Sequence, residues 1–246
     1  GRNLPPRAAV DDTDVELPAR SPEVDPESPV PIAPFWGAKV VKGIPIASIA
    51  AYLNETALFR NQWQYRPEKA DDGSVESDEQ FKDRIRPQLR ALLADTTAEE
   101  LLIPQVVYGY FPANGDGDDL VIWTDADRTS ELTRFHFPRQ RKEPFLCIAD
   151  FFRPVEDDVV DVAAFQIVTM GRRVSERTAE LFAANKYQDY VFLHGLGVEM
   201  AEALAETWHH RIREELGFAN EDGPSLAGLF RQKYRGGRYS WGYPAC

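Results

Sequence analysis

The chain has 246 residues, of which 43% are hydrophobic, and a formal net charge of −12. This length and composition suit a globular protein with one large domain or two small ones, and the negative charge opposes binding to nucleic acid. No apolar run is long enough to span a membrane, and two cysteines make neither a disulfide framework nor a zinc motif, so we expect a cytoplasmic protein.

The amino-terminal segment is predicted to lack regular structure. Residues 1–34 contain eight prolines and no aromatic residue, and acidic residues are scattered through them. Such a composition buries too little apolar surface to offset the entropy lost on ordering. We therefore expect an extended linker or strap, which would follow another domain of a longer protein.

Two helices are predicted next. The spacing of apolar residues favours one helix over Pro45–Arg66, which Pro67 ends, and a second over Glu79–Asp95. Pro87 is expected to kink or reset the second helix. The charged segment before it, 70–79, is predicted to be a loop.

Between residues 103 and 171 the pattern changes to that of β-strands. Turn-forming residues predict a hairpin loop at 114–118. The long apolar runs of the last two predicted strands favour strands covered on both faces. Strands are predicted at Val106–Phe111, Leu120–Trp123, Phe145–Phe152 and Val159–Met170.

Two further helices are predicted towards the carboxyl end, over Ser175–Asn185 and Gln188–Leu216, with Gly217 as a helix stop. The order of helices, a hairpin-linked sheet and more helices indicates a layered α+β fold.

Four polar residues share one stripe of the last helix, because they follow one another at offsets of four, three and four: Glu202, Glu206, His209 and Arg213. They form either a solvated face with ion pairs or an acidic wall that faces a cationic ligand. Glu206 and His209 have the spacing of a di-metal carboxylate site, but the second Glu-x-x-His of such a site is missing. We expect no metal here, and a metal-dependent oxidoreductase using Glu202, Glu206 and His209 is one alternative function.

A basic run is formed by Arg139, Arg141 and Lys142. It is interpreted either as a solvated loop or as a surface that receives an acidic partner.

The carboxyl-terminal residues combine a cation, a glycine and a phenol in the order Arg238-x-x-x-Gly242-Tyr243. Arginine suits a carboxylate, glycine allows close approach of the backbone, and tyrosine has an apolar face with a polar tip. These residues form either a binding motif for an amino-acid-like ligand with an aromatic ring or simply an ordered turn.

This tail resembles the S-adenosylmethionine (AdoMet) motif of the reactivation domain of cobalamin-dependent methionine synthase. The resemblance covers residues 34–246 and keeps the family's order of motifs. It extends over six longer blocks: Phe35-Trp-Gly-Ala-Lys-Val-Val-Lys-Gly-Ile-Pro45, Tyr52-Leu-Asn-Glu-Thr-Ala-Leu-Phe-Arg-Asn-Gln-Trp63, Tyr108-Gly-Tyr-Phe-Pro-Ala-Asn114, Phe135-His-Phe-Pro-Arg-Gln140, Leu146-Cys-Ile-Ala-Asp-Phe-Phe152 and His194–Glu206.

The resemblance implies an antiparallel twisted sheet packed with helices, with residues 1–34 as an interdomain linker and 35–246 as the AdoMet-binding domain. It also implies that the family's carboxyl-terminal end is missing here. The expected function is AdoMet-dependent reductive remethylation of cob(II)alamin to methylcobalamin within methionine synthase, which methylates homocysteine.

The resemblance further implies two protein partners: the cobalamin-binding domain of the same polypeptide, which holds the cobalamin, and a flavodoxin-type reductase as electron donor. Zinc would belong only to the substrate domains of the full-length protein, and neither nucleic acid nor membrane is expected as a partner. A module that docks a cobalamin domain without binding a small molecule is the other alternative.

For the binding residues, the resemblance implies that Arg238 holds the methionyl carboxylate, that the backbone at Ser240 and Gly242 touches the adenosine, and that Tyr243 lies against the ligand. No catalytic residue is implied, since the sulfonium is already activated. The α-ammonium group would be bound by Asn54 or Glu202. Asn54 stands where the family has aspartate, and Gln232 stands where it has an acid.

Overall fold

The computed structural model describes residues 16–69, 72–221 and 235–241. By its internal contacts the chain divides into two units. Unit 1 comprises residues 1–36, 110–163 and 238–246, and unit 2 comprises residues 37–109 and 164–237.

Unit 2 is mostly helical. In chain order its described elements are β1 (Gly37–Val41), α1 (Ile46–Ala50), α2 (Glu55–Ala57), a π-helix (Leu58–Gln62), α3 (Asp78–Ala98), α4 (Arg172–Ala183), α5 (Tyr187–Glu215) and a 3-10 helix (Ala219–Glu221).

Unit 1 contains β3 (Asp119–Trp123), β4 (Glu131–His136) and a 3-10 helix (Ile148–Phe151), while β2 (Gln105–Asp116) and β5 (Asp161–Thr169) contribute residues to both units. Among the described residues the strand order is β1-β2-β3-β4, and β5 pairs with β2. The β2–β3 and β3–β4 pairs are antiparallel. The α+β class with an antiparallel sheet and helices is therefore confirmed.

The core of unit 2 forms around α5. Leu196, Met200 and Leu204 recur at intervals of four residues on this helix and are fully buried. Because such residues stack on one face of a helix, α5 presents a continuous apolar stripe. Each side chain of this size stabilises the fold by about 1.5–3 kcal/mol on burial. The π-helix adds Leu58 and Phe59, which are also fully buried.

The first predicted helix, Pro45–Arg66, is wrong as a single element. It is broken after α1, and Asn54 starts a new helix as the N-cap of α2, where its side chain accepts a hydrogen bond from the backbone N–H of Ala57 at 3.1 Å. Asparagine favours this role because its short side chain reaches the first free N–H groups of a helix. The chain then continues as the π-helix, in which Trp63 N–H donates to the Leu58 carbonyl.

The second helix is longer than predicted and runs through Pro87 without a reset. It begins at a capping box in which the Ser77 hydroxyl accepts from the Gln80 N–H and the Gln80 side chain accepts from the Ser77 N–H. This reciprocal capping fixes the start of α3.

The strand predicted at Phe145–Phe152 is also wrong, because residues 148–151 form a 3-10 helix. Asp150 is buried there at 2% exposure. A buried carboxylate needs charged or hydrogen-bonding partners, and these contacts take the place of strand pairing. The predicted coverage of both faces is wrong for β5 as well, since Ile167 is 73% exposed.

Residues 16–36, which we call the amino-terminal strap, contain neither helix nor strand. Ser21 is nevertheless 2% exposed. Its N–H donates to Asp150 Oδ2 at 2.9 Å, and its hydroxyl donates to the Pro144 carbonyl at 2.6 Å. Arg20 donates to the carbonyl oxygens of Asp150 and Phe152. The strap is thus fixed to unit 1 by specific hydrogen bonds.

Arg139 adds to this attachment, so the solvated-loop interpretation of the basic run is wrong for Arg139, whereas Arg141 and Lys142 are exposed. Its side chain is 1% exposed and contacts Asp150 in a bidentate pair, with Nη1–Oδ2 and Nη2–Oδ1 distances of 2.5 and 2.8 Å. Asp118 lies 2.8 Å away, and Nη2 also donates to the strap carbonyl of Ala19 at 3.1 Å. The hydrogen bond to Asp150 is the main reason why the pKa of Arg139 is raised.

Candidate functional site

The carboxyl-terminal motif is described from Arg238 to Trp241, in unit 1, and has no helix or strand there. Arg238 and Ser240 are half-buried, whereas Tyr239 and Trp241 are 50% and 61% exposed. The other two predicted ligand residues, Gly242 and Tyr243, lie outside the described residues. A half-buried guanidinium retains a path to solvent, so its position is compatible with binding a carboxylate from outside the fold.

Trp241 is held by two aromatic rings of unit 1. Its indole is stacked on Phe137, with ring centroids 5.6 Å apart and an angle of 4° between the planes. The centroid of Phe135 lies 5.1 Å away at an angle of 35°. The sequence pattern did not predict this contact, because Trp241 occupies one of the three positions that the motif leaves unspecified. The available signal was the pair of aromatic residues on either side of His136.

Asn54, in unit 2, is half-buried, and its side-chain oxygen already accepts the capping hydrogen bond from Ala57. A carbonyl oxygen has two lone pairs, so one acceptor site remains. Asn54 therefore has a structural role as the N-cap of α2, which the sequence pattern did not predict.

Glu202, also in unit 2, is an exposed carboxylate on α5. Glu199 lies one turn before it and is 8% exposed, and it accepts a hydrogen bond from Gln62 Nε2 at 3.1 Å. Burial raises the pKa of Glu199, and the charge of Glu202 raises it further. The two carboxyl groups create a negative region on α5, which favours a cationic group such as an ammonium.

The other three members of the α5 stripe are buried, so their interpretation as a solvated face is wrong. Glu206, His209 and Arg213 are 8%, 6% and 1% exposed. The Nδ1 atom of His209 lies 4.0 Å from Glu206 Oε1, and its Nε2 atom is 2.8 Å from the Gly236 carbonyl oxygen. These residues belong to the interior of unit 2. Within the described residues, no group of three or more His, Cys, Asp or Glu side chains is placed to hold a metal ion.

Gly236 is required by close packing at this point. Its φ is +79°, a conformation that glycine adopts without strain. A Cβ atom at this position would lie 2.8 Å from the Phe218 ring. The chain two residues before Arg238 is therefore closely fitted to unit 2.

Unit 2 also contains an open groove of about 760 Å³. None of the four predicted binding residues that the structure describes, Arg238, Ser240, Asn54 and Glu202, lines it, so the groove adds no support to the AdoMet site. Its lining residues come from the segment after β1, from α1 and from the end of α5: Val41, Lys42, Gly43, Ile44, Pro45, Ser48, Tyr52, Thr207, Trp208, His210, Arg211, Glu214 and Glu215.

No helix in the described ranges combines the length and the apolar character that crossing a bilayer requires.

Comparison with known proteins gives a family match over most of the chain. The model of the family described as "Vitamin B12 dependent methionine synthase, activation domain" matches residues 45–246. Methionine synthase of Mycobacterium tuberculosis (strain ATCC 25618 / H37Rv) is 44% identical over 244 residues, which cover 94% of this chain and 20% of that protein. Methionine synthase of Mycobacterium leprae (strain TN) is 42% identical, with the same coverage. The chain therefore spans about a fifth of the length of these curated relatives.

A solved structure described as "Crystal Structure of the MetH Reactivation Domain bound to AdoHcy" is similar in fold. The TM-score is 0.77 and the sequence identity is 29%, and the match covers 88% of this chain and 68% of that chain.

Proposed function

The chain belongs to the family of vitamin B12-dependent methionine synthase activation domains, and we propose that it binds AdoMet and supports reductive remethylation of cob(II)alamin. One observation carries the proposal: the similar solved domain is described as bound to AdoHcy. AdoHcy is the product that remains when AdoMet gives up its methyl group. The motif arginine, half-buried in unit 1, supports it.

The proposed role of this chain is to bind and orient the ligand. AdoMet supplies a methyl group already activated by its sulfonium, so no protein group has to act as an acid or a base. Arg238 binds the methionyl carboxylate through its planar pair of donors. Holding the methyl group in line with its acceptor lowers the barrier by removing most of the entropy loss of the encounter.

We assign the α-ammonium group to Glu202 in preference to Asn54. Glu202 is an exposed carboxylate, and Glu199 adds to the negative region around it. Asn54 carries no charge and already caps α2 through its side-chain oxygen. Hydrogen bonds to ionised groups are roughly twice as strong as those between neutral groups, which favours the glutamate.

The wider context follows from the family. We propose that residues 35–246 form the AdoMet-binding domain and that residues 1–34 link it to a cobalamin-binding domain of the same polypeptide. A flavodoxin-type reductase would supply one electron, and AdoMet would supply the methyl group of methylcobalamin. The whole protein would then be a cytoplasmic methionine synthase that methylates homocysteine.

Calorimetric titration of the full chain with AdoHcy tests the assignment of Arg238. Arg238→Ala should weaken binding at least tenfold, because a hydrogen bond to a charged group contributes about 1.5–3 kcal/mol. The affinity of Arg238→Lys for AdoHcy should lie between those of the unsubstituted chain and Arg238→Ala, because lysine keeps the charge but lacks the paired donors of arginine. Arg172→Ala is the matched control, because Arg172 is an arginine with an 88% exposed side chain on α4.

The same titration shows whether Glu202 or Asn54 binds the α-ammonium group. Glu202→Gln should weaken AdoHcy binding, whereas Asn54→Asp should leave it within about threefold, since aspartate also caps a helix. Full affinity in Arg238→Ala would refute the carboxylate site, and full affinity in Glu202→Gln would move the ammonium group to another residue. If the unsubstituted chain neither binds AdoHcy nor gains thermal stability from it, AdoMet binding itself is refuted.

A further inference from the structure

Trp241 is a large aromatic side chain with one covered face and one open face. Its indole is stacked almost parallel on Phe137 and also contacts Phe135, yet 61% of the residue is exposed. Parallel and edge-to-face ring pairs contribute about 0.5–1.5 kcal/mol each beyond the area that they bury. The indole is thus attached to unit 1 without being part of its core.

The rings under Trp241 are themselves firmly placed. Phe137 is 4% exposed, and its N–H donates to the Asp118 carbonyl at 2.9 Å. Phe135 belongs to β4, where it is opposite Leu120 of β3. A buried ring and a paired strand have little freedom to move, so they provide a rigid base for the indole.

The segment that carries Trp241 is not part of a regular element. Residues 235–241 form neither helix nor strand. Arg238 precedes Trp241 by three residues, and a chain of that length spans at most about 10 Å. Fixing the indole therefore limits the positions that the Arg238 backbone can take.

The geometry points to Trp241 as a positioning residue that holds the Arg238 segment in its binding conformation by stacking on Phe135 and Phe137. This inference rests on the proposed AdoMet-binding function. It adds a residue at a position that the Arg-x-x-x-Gly-Tyr pattern leaves open. Because residues 235–241 form neither helix nor strand, contacts of the indole restrain this loop before the ligand binds. Such preorganisation strengthens binding, since less freedom is lost when the ligand binds.

Trypsin cleavage after Arg238 tests the restraint without any ligand. Trp241→Ala should accelerate cleavage at this bond about tenfold, since roughly 1.4 kcal/mol of ring contact is lost. Trp241→Phe keeps an aromatic ring against Phe135 and Phe137, so trypsin should cleave this variant at nearly the rate of the unsubstituted chain. Equal rates for Trp241→Ala and the unsubstituted chain would overturn the inference, whatever the ligand does.

AdoHcy calorimetry then tests the consequence for binding. Trp241→Ala should bind about tenfold more weakly, and Trp241→Phe should restore most of the affinity. The melting temperature should fall by no more than about 3–6 °C, so the chain of the variant remains folded in the titration. Tyr187→Ala is the matched control, since Tyr187 is a 64% exposed aromatic residue of α5 whose ring contacts that of Tyr190.

The outcomes separate the two proposals. Tight binding by Trp241→Ala, together with tight binding by the unsubstituted chain, overturns the positioning role and leaves the proposed function intact. Failure of the unsubstituted chain to bind overturns the proposed function, while the trypsin result still decides whether Trp241 restrains Arg238.

Discussion

The strap and helix α5 are both long pieces of chain, but different forces hold them. The strap, residues 16–36, has no regular structure and is attached through a few hydrogen bonds to Asp150, Pro144 and Arg139 in unit 1. Helix α5 in unit 2 is 29 residues long and presents a continuous buried apolar stripe. Loss of one anchor should therefore affect the strap strongly, whereas α5 should respond to changes in shape and volume.

The strongest test of this comparison removes the charge of Arg139. Arg139→Met leaves Asp150 buried without its cation, and breaking a buried ion pair in this way costs about 3–5 kcal/mol. Urea denaturation followed by circular dichroism should show this loss. Lys142→Met, at an exposed position of the same basic run, should change stability by less than about 0.5 kcal/mol.

A double variant sharpens the same result. Arg139→Met with Asp150→Leu removes both charges and should recover much of the stability, because an apolar pair often replaces a buried ion pair without loss. If the double variant is no more stable than Arg139→Met, the unpaired carboxylate is not the source of the cost.

In unit 2 the corresponding test changes volume instead of charge. A Cβ atom on Gly195 would lie 2.7 Å from the Gln62 Cβ and 3.1 Å from the Trp63 ring, so Gly195→Ala should destabilise the fold by about 1–3 kcal/mol through overpacking. Gly197→Ala, two residues later on α5, would place its Cβ 3.4 Å from Val174, an ordinary contact. It should stabilise the helix by up to about 1 kcal/mol.

The opposite signs of these two glycine substitutions are measurable by thermal unfolding. Stabilisation of equal size at both positions would mean that helix propensity, not the fit against Gln62 and Trp63, governs this part of α5.

The smallest expected effect concerns the pH dependence of unit 2. The pKa of Glu199 is raised above its ordinary value of 4.5, chiefly by burial, so the folded state holds this proton more tightly than the unfolded state. The free energy of unfolding should therefore decrease as the pH rises from 4.5 through the raised pKa. Glu199→Gln should remove this decrease, and Glu180→Gln, with a 66% exposed side chain, should retain it. An unchanged slope in Glu199→Gln would contradict the assignment.

Local patterns in the sequence predicted the elements whose stability is local. Helix α5 and the β2–β3 hairpin follow from apolar periodicity and turn residues, which act within a few positions along the chain. The composition of the amino-terminal segment predicts little regular structure, and residues 16–36 contain neither helix nor strand. The fixed attachment of this segment was not predictable, because the hydrogen bond from Ser21 to Asp150 joins residues 129 positions apart.

The elements that were predicted wrongly or missed depend on contacts or exposure that no local pattern encodes. The apolar run at 145–152 is typical of a strand, but Asp150 within it is buried against Arg139, a contact that no local pattern encodes. Strand β4 was missed because most of its residues are exposed and lack apolar alternation. Arg238 was singled out by its local motif and by the family resemblance, whereas the role proposed for Trp241 depends on rings more than a hundred residues earlier in the chain.

The π-helix at Leu58–Gln62 has a consequence for sequence alignment across the family. Its hydrogen bonds close over five residues instead of four, as between Leu58 and Trp63, so the turn contains one residue more than an α-helix would need. A homologue that is one residue shorter here can keep both flanking segments by winding the turn more tightly. An alignment gap at this place would thus record a change of helix type and not the loss of a structural element.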